Sequence, residues 1–445
     1  MFGRVGFAHL RSGDFRLRVL ILGATGLIGS TIAARLHRDG MEIAGVARSM
    51  HRSARALPVD RWIRLDLREA TDPSVWLPHL AGVDAVVNAA GVLQDNARDS
   101  TRAVHDRAPA ALWKACEQAG VRRIVQISAL GIDGGATDFS SSKRAGDAAL
   151  ARSALDWVIL RPSVVIGRPA YGGSALMRGL AGLPLLPRMP QAGFLDVVTL
   201  DDVVETVSRM LRPDAPSRVT LDLAGPERLR FEDVVQSFRR WLGRPSARLV
   251  TVPDAVMALA WRVGDLLAWL GWCSPIRTTA RREILRGSTG DPAEWTRLTG
   301  IRPGTLGDWM AANPATVQER WFSALYLLKP LMLGVFALFW LLTGIVSLGP
   351  GFEAGEKMMR AAGAGPLSAA GVIAGAVADI GIGVAILFRR TARLALVAAF
   401  LLSLLYLIAG SLLAPELWRD PLGPLMKIWP ILVLNLACLA VLEER

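Results

Sequence analysis

The run Arg18-Val19-Leu20-Ile21-Leu22-Gly23-Ala24-Thr25-Gly26-Leu27-Ile28-Gly29 leaves the chain few choices. Val19–Leu22 is a short block of branched apolar residues, which reads as a strand buried on both faces. Gly23, Gly26 and Gly29 follow at intervals of three, and Ser30–Arg38 then reads as a helix. Strand, tight turn, helix is the order a dinucleotide pyrophosphate requires. Gly23 permits the sharp turn, Gly26 lets the backbone approach the phosphates, and Gly29 lets the helix sit close on the strand. The helix N-terminus then offers N–H groups and a partial positive charge to the anion. A glycine triplet alone says little; its place between strand and helix makes it a nucleotide signal.

The same alternation continues to about Pro169. Strands are expected at Val19–Leu22, Ile43–Ala47, Trp62–Leu65, Ala85–Asn88, Ile124–Ser128 and Trp157–Arg161, with helices at Ser30–Arg38, Ala103–Ala119 and Ser142–Arg152. Such alternation predicts a doubly wound parallel sheet, an α/β fold. Gly40, Gly82 and Gly120 sit where segments would stop before the next strand. From Tyr171 to Asn313 the pattern is less regular. Leu200–Leu211 and Phe231–Leu242 look helical, and such material usually shapes a substrate pocket over the strand ends.

After Trp321 the composition changes. Leu325–Leu348, Pro366–Phe388, Leu394–Leu413 and Met426–Leu442 are each near the roughly 20 apolar residues that a helix needs to cross a bilayer. These predict a four-helix transmembrane domain. Arg389, Arg390 and Arg393 lie between the second and third segments and place that loop in the cytoplasm. Four spans then put both termini, and the nucleotide domain, on the cytoplasmic side of the cell membrane. The small-residue pattern Gly371-Val372-Ile373-Ala374-Gly375 should let the second span pack closely on a neighbour.

Composition supports this division. A chain of 445 residues should hold two or three domains, and 52% hydrophobic against 20% charged residues is apolar for a soluble protein. The net charge of +12 comes mostly from Arg, without the basic runs and interleaved aromatics of a nucleic-acid-binding protein. Basic cytoplasmic loops explain it better. Cys116, Cys273 and Cys438 are too scattered for a disulfide framework or a zinc site. Met1–Phe15 lacks an apolar core of signal-peptide length and reads as an extension.

Several motifs in order make a resemblance. Gly23, Gly26 and Gly29, then Asp66-Leu67 after the third strand, Asn88-Ala89-Ala90-Gly91 closing the fourth, Ser128 ending the fifth, Arg161-Pro162-Ser163 after the sixth, then Asp201-Asp202-Val203 and Ala224-Gly225-Pro226 resemble landmarks of the extended or atypical short-chain dehydrogenase/reductase family. The likeness is to its NAD(P)H-binding branch, which includes the reductase-like accessory subunit of respiratory complex I. The resemblance implies a Rossmann domain over 17–170 behind an extension at 1–16, a substrate-side region and linker over 171–320, and cofactor contacts from Gly23, Thr25, Gly26, Leu27, Ile28, Gly29, Asp66, Leu67, Ala89, Ala90, Gly91, Ser128, Lys143, Arg161 and Pro162. The membrane segment, 321–445, resembles the DoxX-like four-helix family in pattern and position.

Cofactor choice is read from the end of the second strand. An NAD enzyme places a carboxylate there for the ribose 2′-OH, whereas Arg accommodates a 2′-phosphate. The strand ends Val46-Ala47-Arg48-Ser49, with Arg52 behind and no acid, so NADP(H) is expected over NAD(H). The family's catalytic pair is a Tyr four residues before a Lys. Here Lys143 is in place, but Phe139 holds the Tyr position and has no proton to transfer. A hydroxyl from Ser128 or Ser140 would have to substitute, or the site holds cofactor without turnover.

Two functions follow. One is a membrane-anchored NADP(H)-dependent oxidoreductase or epimerase-like enzyme acting on a small carbonyl or a lipid-soluble substrate such as a quinone, an isoprenoid or a lipid. The other is a redox-silent sensor or assembly protein docked on a membrane complex. All five His residues (His9, His37, His51, His79 and His105) precede the spans, so no bis-His haem or other His-ligated metal is expected there, and no metal site elsewhere. Asp379, mid-span, is a costly residue that marks a proton or quinone site or a buried hydrogen bond, with Asn435 as the expected partner. Val256–Trp272, bearing Trp261, Trp269 and Trp272, is a candidate interfacial segment.

Overall fold

The computed structural model describes residues 16–48, 56–96, 99–272 and 274–442. The extension Met1–Phe15, with His9, and Ser49, His51, Arg52 and Cys273 lie outside the described residues.

Seven strands form one parallel sheet: β1 (Arg18–Leu22), β2 (Glu42–Ala47), β3 (Arg61–Arg64), β4 (Ala85–Asn88), β5 (Arg123–Ile127), β6 (Asp156–Pro162) and β7 (Val219–Leu223), in the order β7-β6-β5-β4-β1-β2-β3. Chain direction across the sheet reverses between β1 and β4, the switch point where a doubly wound sheet opens a crevice. Leu22 pairs with both Val46 and Asn88, so the ends of β1, β2 and β4 meet at one edge.

The helices covering this sheet follow from strand alternation. Val19 and Ile21 join a core with Ile32, Ala33 and Leu36 of α1 (Leu27–Arg38), and with Val203 and Val207 of a later helix (Leu200–Met210). Leu20 and Leu22 point the other way, packing with Trp76 of α2 (Pro73–Leu80) and with Leu112 and Ala115 of α3 (Ala108–Ala119). Gly40, Gly82 and Gly120 have φ of +86°, +69° and +77°, the left-handed stops expected of them. The segment Ala103–Ala119 is helical throughout, but its first turn, Ala103–Arg107, is wound as a π-turn. A further helix, α4 (Asp138–Ala151), leads into β6.

The seventh strand comes from beyond residue 170. The compact unit built on the sheet takes in the chain up to Ser174, then Met189–Ser237 and Thr279–Pro314. Val219–Leu223 (VTLDL) alternates polar and apolar residues and does not announce itself as a buried strand.

A second unit comprises Ala175–Arg188, Phe238–Thr278 and Ala315–Arg445. It contains α5 (Asp254–Trp269), α6 (Val317–Leu348), α7 (Ser368–Leu387), α8 (Ala392–Leu413) and α9 (Ile428–Leu442). Thr316 and Glu319 close a capping box at the start of α6. Among the described residues, three helices are long and apolar enough to cross a membrane: Val317–Leu348, Gly365–Leu387 and Ala392–Leu413. The fourth, α9, has 15 residues, about 22 Å at 1.5 Å per residue.

Packing in this unit is inverted relative to a soluble core. Leu331, Leu338, Leu394, Leu401, Leu412 and Val433 face outward, while the interior holds Phe336, Trp340 and Leu396 together with small and polar residues such as Ala337, Ala399, Asp379 and Asn435. Gly344 of α6 would place a Cβ 2.5 Å from the Ala376 carbonyl, and Gly383 of α7 one 2.7 Å from Leu341 Cγ. These two glycines set the close α6–α7 approach. The pattern Gly371–Gly375 serves other neighbours: Gly371 faces Met359, and Gly375 faces the Tyr406 hydroxyl. Asp379 is buried as expected, but its partner is Tyr406, whose Oη donates at 3.0 Å, and not Asn435. Tyr406 lies on α8, and its long side chain reaches across to α7, whereas the Asn435 side-chain atoms make no protein hydrogen bond.

Filling the glycine contact should therefore loosen the bundle. Gly383→Val is expected to destabilise the detergent-solubilised protein by about 1–3 kcal/mol, as overpacking does. Gly381→Ala, with no atom within 4 Å of the added carbon, should leave the unfolding midpoint unchanged in the same thermal melt.

Candidate functional site

The glycine turn follows β1 directly. Gly23 has φ +71°, and a Cβ there would come within 2.9 Å of Ala89 O and Ala90 N. Gly26 N donates to Gly23 O at 2.9 Å and closes the turn. A Cβ on Gly29 would sit 2.2 Å from Gly23 O, so the helix could not approach the strand. Gly26 differs. Its φ of −77° and ψ of 170° suit any residue, and a Cβ there meets only Gly23 O, at 3.2 Å. The fold itself requires Gly23 and Gly29, while Gly26 keeps open the space before the N-terminus of α1. The first turn of α1 carries no acidic residue, and its leading N–H groups have no carbonyl one turn back. Thr25 is exposed at the tip of the turn, with Leu27 and Ile28 half-buried behind it.

Around the turn, Asn88 is fully buried at the end of β4. Its Oδ1 accepts from Ala90 N (3.1 Å) and its Nδ2 donates to Gln126 Oε1 (2.8 Å), which shapes Ala89–Gly91. After β3, Asp66 is gripped by Arg68, Nη2 to Oδ2 at 2.7 Å, which holds the carboxyl below its ordinary range; Leu67 beside it is buried. At the end of β2, Arg48 is half-exposed and its Nη1 contacts Asp99 Oδ1 at 2.5 Å. Asp99 is a residue the sequence did not point to, since it lies 51 positions away.

Lys143 is buried on α4, with Nζ donating to Ile127 O at 2.8 Å. Burial lowers its pKa to about 8, partly offset by Asp147 one turn on. His105, on the π-turn, is its neighbour. A Cβ on Gly91 would lie 3.7 Å from both Lys143 Nζ and His105 Nε2, which places Gly91 beside both nitrogens. His105 Nε2 accepts from Val92 N at 3.1 Å, Nδ1 donates to Ser142 Oγ at 2.8 Å, and Ser142 Oγ donates to Phe139 O at 3.1 Å. That chain of donors assigns a neutral imidazole, and burial together with the Lys143 charge pushes its pKa well below the usual value. Gly146 makes the arrangement possible: a Cβ there would fall 1.9 Å from His105 O. Phe139 stands edge-on to the imidazole, ring centroids 5.5 Å apart.

Ser128 lies beyond Lys143, at the end of β5, and donates to Asp147 Oδ2 at 2.7 Å. Asp147 is buried, its Oδ1 has no protein partner, and burial raises its carboxyl above the ordinary range. Arg161 Nη2 approaches the same carboxylate at 3.5 Å and Nη1 pairs with Asp133 at 2.8 Å. Pro162 is buried at the end of β6, and Ser163 Oγ donates to Ser288 O at 2.8 Å. Ser140 is elsewhere. It accepts from Arg286 Nη1 at 2.6 Å and joins Thr137 and Glu283 near the start of α4. The structure thus brings Lys143 and Ser128 together through Asp147 and leaves Ser140 in a separate polar cluster. His105 and Asp147 are the members sequence reading missed; the spacing of Asp147, four after Lys143 on one helix face, is the signal that would have found it.

A parallel seven-stranded sheet with a glycine cradle at its switch point defines a dinucleotide-binding Rossmann domain, here followed by apolar helices. Residues 23–181 match the model of an NAD(P)H-binding family, and residues 337–436 that of the DoxX-like family. The chain joins an NAD(P)H-binding Rossmann domain, similar to short-chain dehydrogenases/reductases, to a DoxX-like domain of apolar helices. An uncharacterized Mycobacterium tuberculosis protein is 28% identical over 242 residues, 53% of this chain and 25% of that one. The chain therefore spans about a quarter of the length of that relative. A ceramide reductase of Caulobacter vibrioides is 24% identical over 259 residues, 58% of this chain and 79% of that one. The enzyme WbmG of Bordetella bronchiseptica, solved with NAD, superposes with a TM-score of 0.53 at 18% identity, covering 71% of this chain and 98% of that one, which shows the shared fold.

The buried imidazole sets a pH limit. Unfolded His105 takes up a proton near pH 6.5, and the folded ring does so only well below it. Its contribution to stability is complete above about pH 6.5 and is lost as the pH falls below that value. His105→Gln should flatten the fall in unfolding temperature between about pH 7.5 and about pH 5.5, read by thermal melts of both proteins across the series.

Proposed function

We propose that this chain is a membrane-anchored NADP(H)-dependent oxidoreductase acting on a lipid-soluble carbonyl or alcohol substrate. The observation that carries it is the open cradle at Gly26 beside a buried lysine of lowered pKa, both on a domain of the NAD(P)H-binding family. Gly23, Thr25, Gly26, Leu27, Ile28 and Gly29 hold the pyrophosphate, with Asp66 and Leu67 at the adenine. Ala89–Gly91, Lys143, Arg161 and Pro162 line the nicotinamide half. Arg48 takes the 2′-phosphate, in competition with Asp99. The bound cofactor supplies or accepts a hydride.

Without a tyrosine at Phe139, the proton comes from Ser128. Because Ser128 Oγ donates to the Asp147 carboxylate, a substrate alcohol would pass its hydroxyl proton to Oγ as the Ser128 hydrogen moves to Asp147, and carbonyl reduction would run the same relay in reverse from a protonated Asp147. Lys143 and Arg161 then balance the carboxylate that remains. Fusion to apolar helices and likeness to a ceramide reductase support a substrate drawn from lipid, quinone or isoprenoid pools. In the bilayer, four spans with the Arg389–Arg393 loop inside keep the Rossmann domain and both termini cytoplasmic. A second reading, a redox-silent NADP(H) sensor or assembly protein bound to a membrane complex, is favoured by Phe139 alone.

Calorimetry tests the cofactor. Gly26→Ala should weaken dinucleotide binding about tenfold or more with only a small change in melting temperature, while Arg48→Ala should weaken NADPH about tenfold and leave NADH unchanged. NADPH oxidation with lipid, quinone and isoprenoid carbonyls tests the chemistry. Turnover lost in Ser128→Ala and Asp147→Asn and raised in Phe139→Tyr is expected; NADPH bound and never oxidised with that panel would leave the sensor.

A further inference from the structure

Helix α5 (Asp254–Trp269) carries two apolar faces. One buries Trp261, Gly264 and Ala268 within its own unit, so closely that a Cβ on Gly264 would fall 1.5 Å from Ile276 O. At 100° per residue, Val256, Leu259, Val263 and Leu266 lie on the opposite side, and they are exposed by 54%, 61%, 45% and 55%. A surface helix should turn polar residues outward there. Trp269 flanks this stripe at 73% exposure, as does the exposed Arg262.

The end of this helix is tied to the ends of the apolar helices. Trp272 Nε1 donates to Leu387 O, the last residue of α7, at 2.7 Å. Arg389 N donates to Leu270 O at 3.1 Å, and the Arg389 guanidinium lies 5.6 Å from the Trp272 ring centroid. Arg389 Nη2 also donates to Leu442 O, at the end of α9, at 2.9 Å. The C-terminal end of α5, just past the exposed Leu266, is thus fixed to the arginine-bearing end of the bundle, where Phe388 and Leu394 are also exposed.

We propose that α5 is an interfacial helix whose Val256–Leu266 face rests in the headgroup–acyl boundary of the bilayer. Continuity with the lipid-facing surface selects lipid as the occupant. Trp269 and Trp272 suit the interface, where amphipathic rings collect. Arg262, Arg389, Arg390 and Arg393 supply charge for anionic headgroups. The apolar face would lie about 5–10 Å below the phosphates. This inference rests on the membrane reading of α6–α9 and not on the cofactor site.

The test places the full-length protein in nanodiscs with a phospholipid that carries a photoactivatable diazirine on its acyl chain. Adducts mapped by mass spectrometry are expected on Val256, Leu259, Val263 and Leu266 as well as on α6–α8. Adducts on α6–α8 with none on this stripe would overturn the inference alone, and cross-links joining the stripes of two copies would reassign it to self-association. Adducts on no helix would overturn the membrane reading itself. Leu259→Glu combined with Leu266→Glu changes only exposed positions, and should cut labelling of 254–272 several-fold while labelling of the spans is unchanged.

Discussion

The contact between Gly29 and the Gly23 carbonyl governs the nucleotide half of the molecule. A hydrogen in place of a side chain at residue 29 lets α1 lie against the end of β1; a Cβ only 2.2 Å from that oxygen would push the helix away. With the helix displaced, the N–H groups of its first turn would no longer face the crevice beside Leu22, Val46 and Asn88. The sheet order places that crevice at the switch point, so a local steric fact and a global topology converge on one place. Gly26 then stands out as the glycine the protein does not need for its own packing.

Close approach through glycine recurs elsewhere. Gly146 brings α4 against the His105 carbonyl, which buries Lys143, His105 and Asp147 in one region. Burial disfavours the charged form of each, lowering the lysine and histidine and raising the acid. With Phe139 in the tyrosine position, the region is left with the Ser128 hydroxyl beside a carboxyl and an amine whose proton affinities have moved toward one another. In the second unit, Gly344 and Gly383 do the same for α6 and α7. With lipid outside, no hydrophobic driving force favours helix on helix, and close van der Waals contact carries the association.

Much was legible in the chain. Six strands of the sheet, the cradle, the three long apolar helices and their arginine loop follow from periodicity, glycine placement and hydropathy, which are local properties. The seventh strand escaped although Val219–Leu223 alternates apolar and polar residues as a half-buried edge strand does, because it is five residues long and lies in the irregular stretch beyond Pro169. Among site residues, Lys143 and Ser128 were pointed to by the family resemblance, whereas Asp99 and His105 act across 51 and 37 positions, distances over which no periodicity carries information. Ser140 and Ser142 look alike in the run Ser140-Ser141-Ser142-Lys143, and helical rotation alone sends one to Arg286 and the other to His105.

By itself the sequence determined that a dinucleotide fold and a set of apolar helices share this chain, because glycine spacing and uninterrupted apolar length each admit few structures. It also determined that a phenylalanine, with no proton to give, stands four residues before Lys143. Only the tertiary structure decided which polar groups answer one another. Asp147 stands behind Ser128, and Tyr406 rather than Asn435 reaches Asp379. Those pairings depend on which helix faces meet, and a side chain's reach across a packed interface is set by the neighbour's backbone rather than by its own sequence.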